Sequence, residues 1–425
     1  MEDDKVVHEA GPLPTEEDLI HITSPISLHP TNQTVPSAKS VVNQVMLPSN
    51  DILGSTMLSN MTLPDPSLPT TPFLRPFSTL HVYVDDMIIT SSSSSDVKRL
   101  IVSLGQAFPV TDLGPLPYFL GLELDYLSDG LFISQRKYIS DLLKKANMLG
   151  SKPISSPMST STKLSKFDAP TFENATLFRS IVGSLQYLSL TRPDVSFAVN
   201  KVYQFMHDPK NTDWTAVKRI LQYLKSTINH GLFLAKKSGL TLHAFSDADW
   251  AGCPHDRRST RGFCIFLGNH LISWSSRKQH TLACSSIEAE YKSLANTTAE
   301  LIWLQTLIKD LGFSLSQPSV LWCDNLGATY LSSNPIYHSH HSRTKHMDVD
   351  FHFVRDRVAA KTLQVQFCSN KDQLANVFTK PLVADRFFSL KSSLNVIDTA
   401  FDSRGRINLI TEAAYPENTK LHNPH

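Results

Sequence analysis

The chain has 425 residues and a formal net charge of +1, from 40 Lys and Arg against 39 Asp and Glu. With 41% hydrophobic and 19% charged residues, 25 Pro, 16 Gly and 5 Cys, it is neither collagen-like, wholly disordered nor a disulfide-rich secreted module. Its length suggests two or three domains with ample material for buried cores. No run of about 18 apolar residues marks a membrane span. The acidic start, Met1-Glu2-Asp3-Asp4, argues against a signal or transit peptide. Cys253, Cys264, Cys284, Cys323 and Cys368 form no Cys-x-x-Cys pair, which suits a reducing intracellular compartment, cytoplasmic or nuclear.

Charge and proline are unevenly spread. Residues 1–76 hold 11 of the 25 prolines and carry 3 basic against 9 acidic side chains. They show no sustained helical or strand period and read as a largely disordered acidic arm. Residues 77–235 carry 16 basic and 13 acidic side chains, and residues 236–390 carry 17 and 13. The regular part of the chain is therefore basic. Ser91–Ser95 reads as a short flexible loop, Ala235–Leu240 as a linker, and residues 391–425 as an irregular tail.

Leu80–Val84 and Met87–Thr90 are strand-like runs separated only by Asp85 and Asp86, which is hairpin spacing. Two adjacent aspartates alone favour an ordinary acidic turn. The alternative is a pair of carboxylates holding Mg²⁺ at a hairpin tip. Tyr83-Val84-Asp85-Asp86-Met87 resembles the metal-binding hairpin of reverse transcriptases. Asp112-Leu113-Gly114 and Tyr118 through Glu123 resemble the segment after that hairpin in copia-type retrotransposon polymerases. Tyr187-Leu188 through Asp194, and Trp214 through Leu224, resemble their thumb and connection helices. The resemblance implies a further metal-binding aspartate on an earlier palm strand. Only the proline-rich arm precedes the hairpin, so residues 77–235 are expected to be a truncated palm and thumb with a vestigial site at Asp85 and Asp86. Polymerisation by this chain alone is not expected.

Residues 236–390 read as mixed α/β. Leu240–Phe245 is strand-like and leads into Asp247 and Asp249, and two further strands flank Gly268-Asn269-His270. Ile287, Tyr291, Leu294, Leu301, Leu304 and Ile308 form a helical apolar stripe, closed by Gly312. Val320–Cys323 is a short strand running into Asp324. A helix over 344–358, a strand over Leu363–Phe367 and a last helix from about Asp372 complete the pattern.

Two acidic positions are informative. Glu290 falls on the apolar face of its helix, where a carboxylate is costly unless paired or bound to metal, whereas Glu288 points elsewhere. Asp324 ends a strand and equally suits a helix N-cap. Alternation does not choose between Asp247 and Asp249, which share a strand face.

A strand-end Asp, a buried helix Glu and a second strand-end Asp resemble ribonuclease H, the copia-type retrotransposon version in particular. The motifs that carry this are Asp247 through Gly252, Asp256 through Gly262, Ser285 through Tyr291, Cys323-Asp324-Asn325, Arg343 through Asp348, Gln373 through Asn376 and Thr379 through Leu382. The fold this implies is a ribonuclease H-like mixed sheet with flanking helices, behind the truncated polymerase part and the disordered arm. By motif, the acidic residues of the family fall on Asp247, Glu290 and Asp324. The fourth falls on Asn376, which offers a carbonyl oxygen but no charge; Asp348 is a nearby substitute. The implied cofactor is Mg²⁺, two ions per site, and the implied reaction is cleavage of the RNA strand of an RNA:DNA hybrid.

Arg257, Arg258, Arg277, Lys278, Arg343 and Lys345 are candidate phosphate contacts, with Ser285 and Ser286 near the minor groove. His338, His340, His341, His346 and His352 lack zinc-finger spacing. Neither a membrane nor a small-molecule cofactor is expected as a partner. The competing expectation is a catalytically inactive relic that at most binds nucleic acid.

Overall fold

The computed structural model describes residues 19–23, 78–83, 86–91, 93–162, 164, 169–333 and 348–398. These fall into two compact units: the described residues of 1–132 with 235–238 and 307–314, and those of 133–234, 239–306 and 315–398.

In the first unit, β1 (Leu19–Thr23), β2 (Ser78–Tyr83) and β3 (Asp86–Ser91) are followed by α1 (Ser94–Ala107) and β4 (Thr111–Pro115). The strand order is β2-β3-β1-β4, antiparallel throughout, with Tyr83 opposite Asp86 at the expected hairpin and Leu19 opposite Thr90. The strand Leu19–Thr23 corrects the expectation of a disordered arm at those residues. Its short run Leu-Ile-His-Ile-Thr becomes a strand because β3 and β4 supply hydrogen-bonding partners on both edges. The rest of residues 1–76 lies outside the described residues, as do Asp85 and the side chain of Asp86. The serine run is also not a plain loop. Ser93 accepts from the Asp96 amide and caps α1, whose Val97 packs with Ile89 of β3. A short hairpin, β5 (Tyr118–Phe119) and β6 (Leu122–Leu127), ends this part.

Strand β7 (Gly130–Ser134) leads into the second unit, where α2 (Arg136–Lys145), α3 (Ala175–Leu188), α4 (Ser196–Tyr203) and α5 (Asn211–Ser226) precede β8 (His230–Ala235). Next come β9 (Leu242–Asp249), β10 (Thr260–Leu267), β11 (His270–Lys278), the long α6 (Ser286–Asp310) and β12 (Ser319–Cys323). The chain ends through α7 (Leu326–Ser333), α8 (Asp348–Ala359), β13 (Leu363–Phe367), a 3-10 turn at Leu374–Phe378, α9 (Ala384–Ser393) and β14 (Val396–Asp398). Two expectations are corrected here. The helix expected from Asp372 is split, because Pro381 cannot continue the 3-10 turn into α9. The tail is ordered as far as Asp398, with Val396 pairing to Leu232 of β8; residues 399–425 lie outside the described ones.

The main sheet of this unit runs β11-β10-β9-β12-β13. The first three strands are antiparallel neighbours, and β12 pairs in parallel with both β9 and β13. The central strand β9 is buried on both faces along most of its length, as a strand covered on both sides must be. Ile181, Leu185, Val217, Ile220 and Leu224 of the helices share one apolar core with Cys264, Phe266, Leu271 and Phe378. The helices expected of the polymerase part and the sheet expected of the ribonuclease part therefore bury a common core across the Ala235–Leu240 break. Beneath them Arg192, fully buried, makes a bidentate pair with Asp194 at 2.9 and 2.7 Å. Its guanidinium also donates to the Thr227 carbonyl and hydroxyl, and Tyr223 donates to Asp194 Oδ2 at 2.5 Å. Every charge and donor in this cluster has a partner, which is what makes its burial tolerable.

Candidate active site

Parallel pairing assembles the acidic cluster. Cys323 of β12 lies opposite Ser246 of β9, so Asp324, the first residue past β12, comes beside Asp247, which is still within β9 and paired with Gly262 of β10. The question of whether Asp324 is only a helix cap is settled by its neighbour. Asn325 Oδ1 accepts the Ala328 amide at 3.0 Å and caps α7, leaving the Asp324 carboxylate for other partners.

Helix α6 supplies Glu290 from its first turns. Ser285 accepts from the Glu288 amide at 3.2 Å and starts the helix. Glu288 is buried too, against the expectation that it points elsewhere, but it is fully engaged. Its carboxylate accepts from Lys292 and from the Cys284 amide, both at 2.7 Å. Glu290 has no such cation on its own helix. It is 5% exposed, and the Ala248 amide of β9 donates to it. Burial, then the charges of Asp247 and Asp324, push its carboxyl well above the usual range. Burial and Asp247 push Asp324 up as well, against the counter-effects of Lys380 and a hydrogen bond from Gln373.

Among the described residues, one atom each of Glu290, Cys323 and Asp324 lie within 4.8 Å of one another. The Cys323 thiol is pushed up by burial and by Glu290, so it stays protonated and is a poor ligand. The remaining donors are hard carboxylate oxygens crowded together in like charge, which fits Mg²⁺ or another hard divalent cation. Asp247 belongs to the same neighbourhood but is held differently. It is 1% exposed, the Thr379 hydroxyl donates to its Oδ2, and Lys380 Nζ stands 3.5 Å from the same oxygen.

Asn376 sits in the 3-10 turn, 2% exposed. Its Nδ2 donates to the Asn370 carbonyl at 3.2 Å and to Asn370 Oδ1 at 2.8 Å, while its own Oδ1 has no hydrogen-bond partner among the described residues. Asp348, the substitute, opens α8 and is not part of the close group. Asp249, on the same strand face as Asp247, is raised by burial and offset by Lys201 and Lys380.

The candidate phosphate contacts divide. Arg257 is exposed, but Arg258 and Lys278 are drawn to Asp256, at 3.7 and 2.8 Å. Arg277 of β11 faces Arg261 of β10 directly across the ladder. Burial and this like-charged neighbour lower Arg261 to about 10. Ser285 and Ser286 are exposed at the start of α6. Arg343, Lys345, His338, His340, His341 and His346 lie outside the described residues. His352 is on α8, 3.1 Å from Arg355. A cavity of about 720 Å³ in the same unit is lined by Tyr203, Phe205, His255 and Lys278, and none of the four expected acidic positions borders it. Among the described residues no helix is long and apolar enough to cross a membrane.

Sequence reasoning did not pick out Thr379, Lys380, Gln373 or Arg261. All four lie inside motifs that carried the family resemblance, and the polar and basic residues within those motifs were the available signal.

A profile of the family described as reverse transcriptase (RNA-dependent DNA polymerase) matches residues 78–160. The retrovirus-related Pol polyprotein from transposon RE2 of Arabidopsis thaliana is 48% identical over 74% of this chain and 22% of its own length. That from transposon TNT 1-94 of Nicotiana tabacum is 36% identical over 73% of this chain and 24% of its own. The chain thus spans about a fifth of the length of these polyproteins. A transposon Ty5-1 protein of Saccharomyces cerevisiae is 30% identical, over 52% of this chain and 72% of its own length. Among solved structures, LC11-RNase H1 in complex with RNA/DNA hybrid aligns with 94% of its chain at 10% identity and a TM-score of 0.25, a likeness too slight to argue from. Sequence identity of this extent carries the assignment by itself: the chain belongs to the copia-type retrotransposon Pol polyprotein family.

Proposed function

We propose that this chain hydrolyses the RNA strand of RNA:DNA hybrids in a Mg²⁺-dependent reaction at the Asp247–Glu290–Asp324 cluster. The observation that carries the reading is Glu290, a buried carboxylate with no ion pair on its own helix, facing two further carboxylates. Such an arrangement is unfavourable in the protein alone and becomes favourable around a divalent cation.

Asp247, Glu290 and Asp324 would hold the ions, with Asn376 Oδ1 as a neutral oxygen at the fourth position. Mg²⁺, when bound, supplies the Lewis acidity for in-line attack of water on a phosphodiester. Thr379 and Gln373 hold Asp247 and Asp324 in place. Arg261 and Arg277, two like charges facing each other across a ladder, gain most from an anionic backbone laid over them. The 2′-hydroxyls of the RNA strand distinguish the hybrid from duplex DNA.

A second reading, a relic that binds hybrid without cutting it, is favoured by the amide of Asn376, which is committed to Asn370. The full chain incubated with a labelled RNA:DNA hybrid and Mg²⁺ separates the two. Cleavage lost in Glu290→Gln supports the enzyme; binding without cleavage, restored only by Asn376→Asp, supports the relic.

A further inference from the structure

Lys380 does something in this site that the acidic motif does not require. Its Nζ stands 3.5 Å from Asp247 Oδ2, and its side chain is 35% exposed where that of Asp247 is 2% exposed. Its charge also reaches Glu290, Asp324 and Asp249. One ammonium thus serves four carboxylates.

The segment that bears it is pinned. The Lys380 amide donates to the Asn376 carbonyl at 3.3 Å, and the Thr379 hydroxyl donates to Asp247. Thr379 and Phe378 also press on β10 at Gly262. A Cβ at that glycine would meet Phe378 Cβ at 2.5 Å and Thr379 Cγ2 at 2.9 Å. The backbone is fixed, while the long, partly exposed side chain has room to swing into solvent.

We propose that Lys380 is a tethered counter-cation: its ammonium neutralises the acidic cluster when no divalent ion is present, and a divalent ion must displace it to gain Asp247. This rests on the metal-binding reading above and adds a property that reading lacks. The chain carries its own competitor for the metal, so Lys380 sets the ion concentration at which the site fills.

The test is Mn²⁺ binding to the full chain, followed by electron paramagnetic resonance of the free ion, in wild type, Lys380→Gln and Lys380→Arg. Removing a unit charge a few ångströms from the ion tightens binding by about tenfold. Lys380→Gln is expected to bind Mn²⁺ about tenfold more tightly than wild type, and Lys380→Arg as wild type does. Thermal unfolding gives a second readout that needs no activity. The Mn²⁺-induced rise in Tm should be larger in Lys380→Gln, because its metal-free state leaves Asp247 without a cation. Equal or weaker binding in Lys380→Gln, or an equal rise in Tm, overturns the proposal and leaves the metal-binding reading standing. Absence of Mn²⁺ binding in wild type and Lys380→Gln alike overturns both.

Discussion

Asn376 donates its side-chain amide to Oδ1 of Asn370 across 2.8 Å, at the position where the family resemblance implies an aspartate. An aspartate there cannot make that bond and would face two carbonyl oxygens instead. Asn376→Asp is therefore expected to destabilise the metal-free chain by about 1–3 kcal/mol. Mg²⁺ should recover most of that loss, and hybrid cleavage should rise. Thermal unfolding with and without Mg²⁺ checks the first part. A variant as stable as wild type without metal would show that the Asn376–Asn370 bond contributes nothing.

The Arg192–Asp194 pair should matter more to folding than any residue of the acidic cluster. Asp194→Asn leaves a fully buried guanidinium short of its counter-charge and is expected to cost about 3–5 kcal/mol, measured by urea unfolding. The pair also fixes a pH dependence. Arg192 holds Asp194 down at about 2, below its ordinary 3.8, so the contribution is complete above about pH 4 and is lost as pH falls through 2.

A separate acid transition at higher pH is expected from His243. Burial alone lowers it from 6.5 to about 4, and its ring stacks on Phe266 with centroids 5.2 Å apart. The unfolded chain binds the proton first, so this contribution is full above pH 6.5 and declines as pH falls towards 4, by about 3 kcal/mol in all. His243→Phe should flatten stability between pH 6.5 and 4. An unchanged pH profile would place the transition elsewhere.

Gly262→Ala tests how the Thr379–Lys380 segment is seated. The added methyl overlaps Phe378 and Thr379, so the variant is expected to lose about 1–3 kcal/mol. Because Thr379 must move, its hydrogen bond to Asp247 should weaken and Mn²⁺ affinity should change. Wild-type stability would mean that the turn relaxes freely.

Much of this site is legible in the sequence before any fold is known. β13 has the bounds Leu363–Phe367 that its apolar pattern indicates, and α6 contains the whole stripe from Ile287 to Ile308. Glu290 stands out because its helical phase puts a carboxylate among apolar residues. What phase cannot show is pairing: Glu288 is as buried as Glu290, and only its ion pair with Lys292 sets it apart. Asp324 is ambiguous in sequence because either it or Asn325 could cap α7, a choice made by backbone geometry. The choice of Asp247 over Asp249 comes from motif resemblance; the parallel register of β9 with β12 shows only that Asp247 is the residue brought beside Asp324. The strand Leu19–Thr23 and the seat of Lys380 are hidden for one reason: both depend on partners distant in sequence.

The central claim is tested most directly by incubating the full chain with an RNA:DNA hybrid labelled on the RNA strand, with Mg²⁺ and with chelator. Cleavage of the RNA strand that requires Mg²⁺ and is abolished in both Glu290→Gln and Asp324→Asn is the result expected. Cleavage that persists in either variant, or no cleavage by wild type whether or not Asn376→Asp restores it, would contradict it.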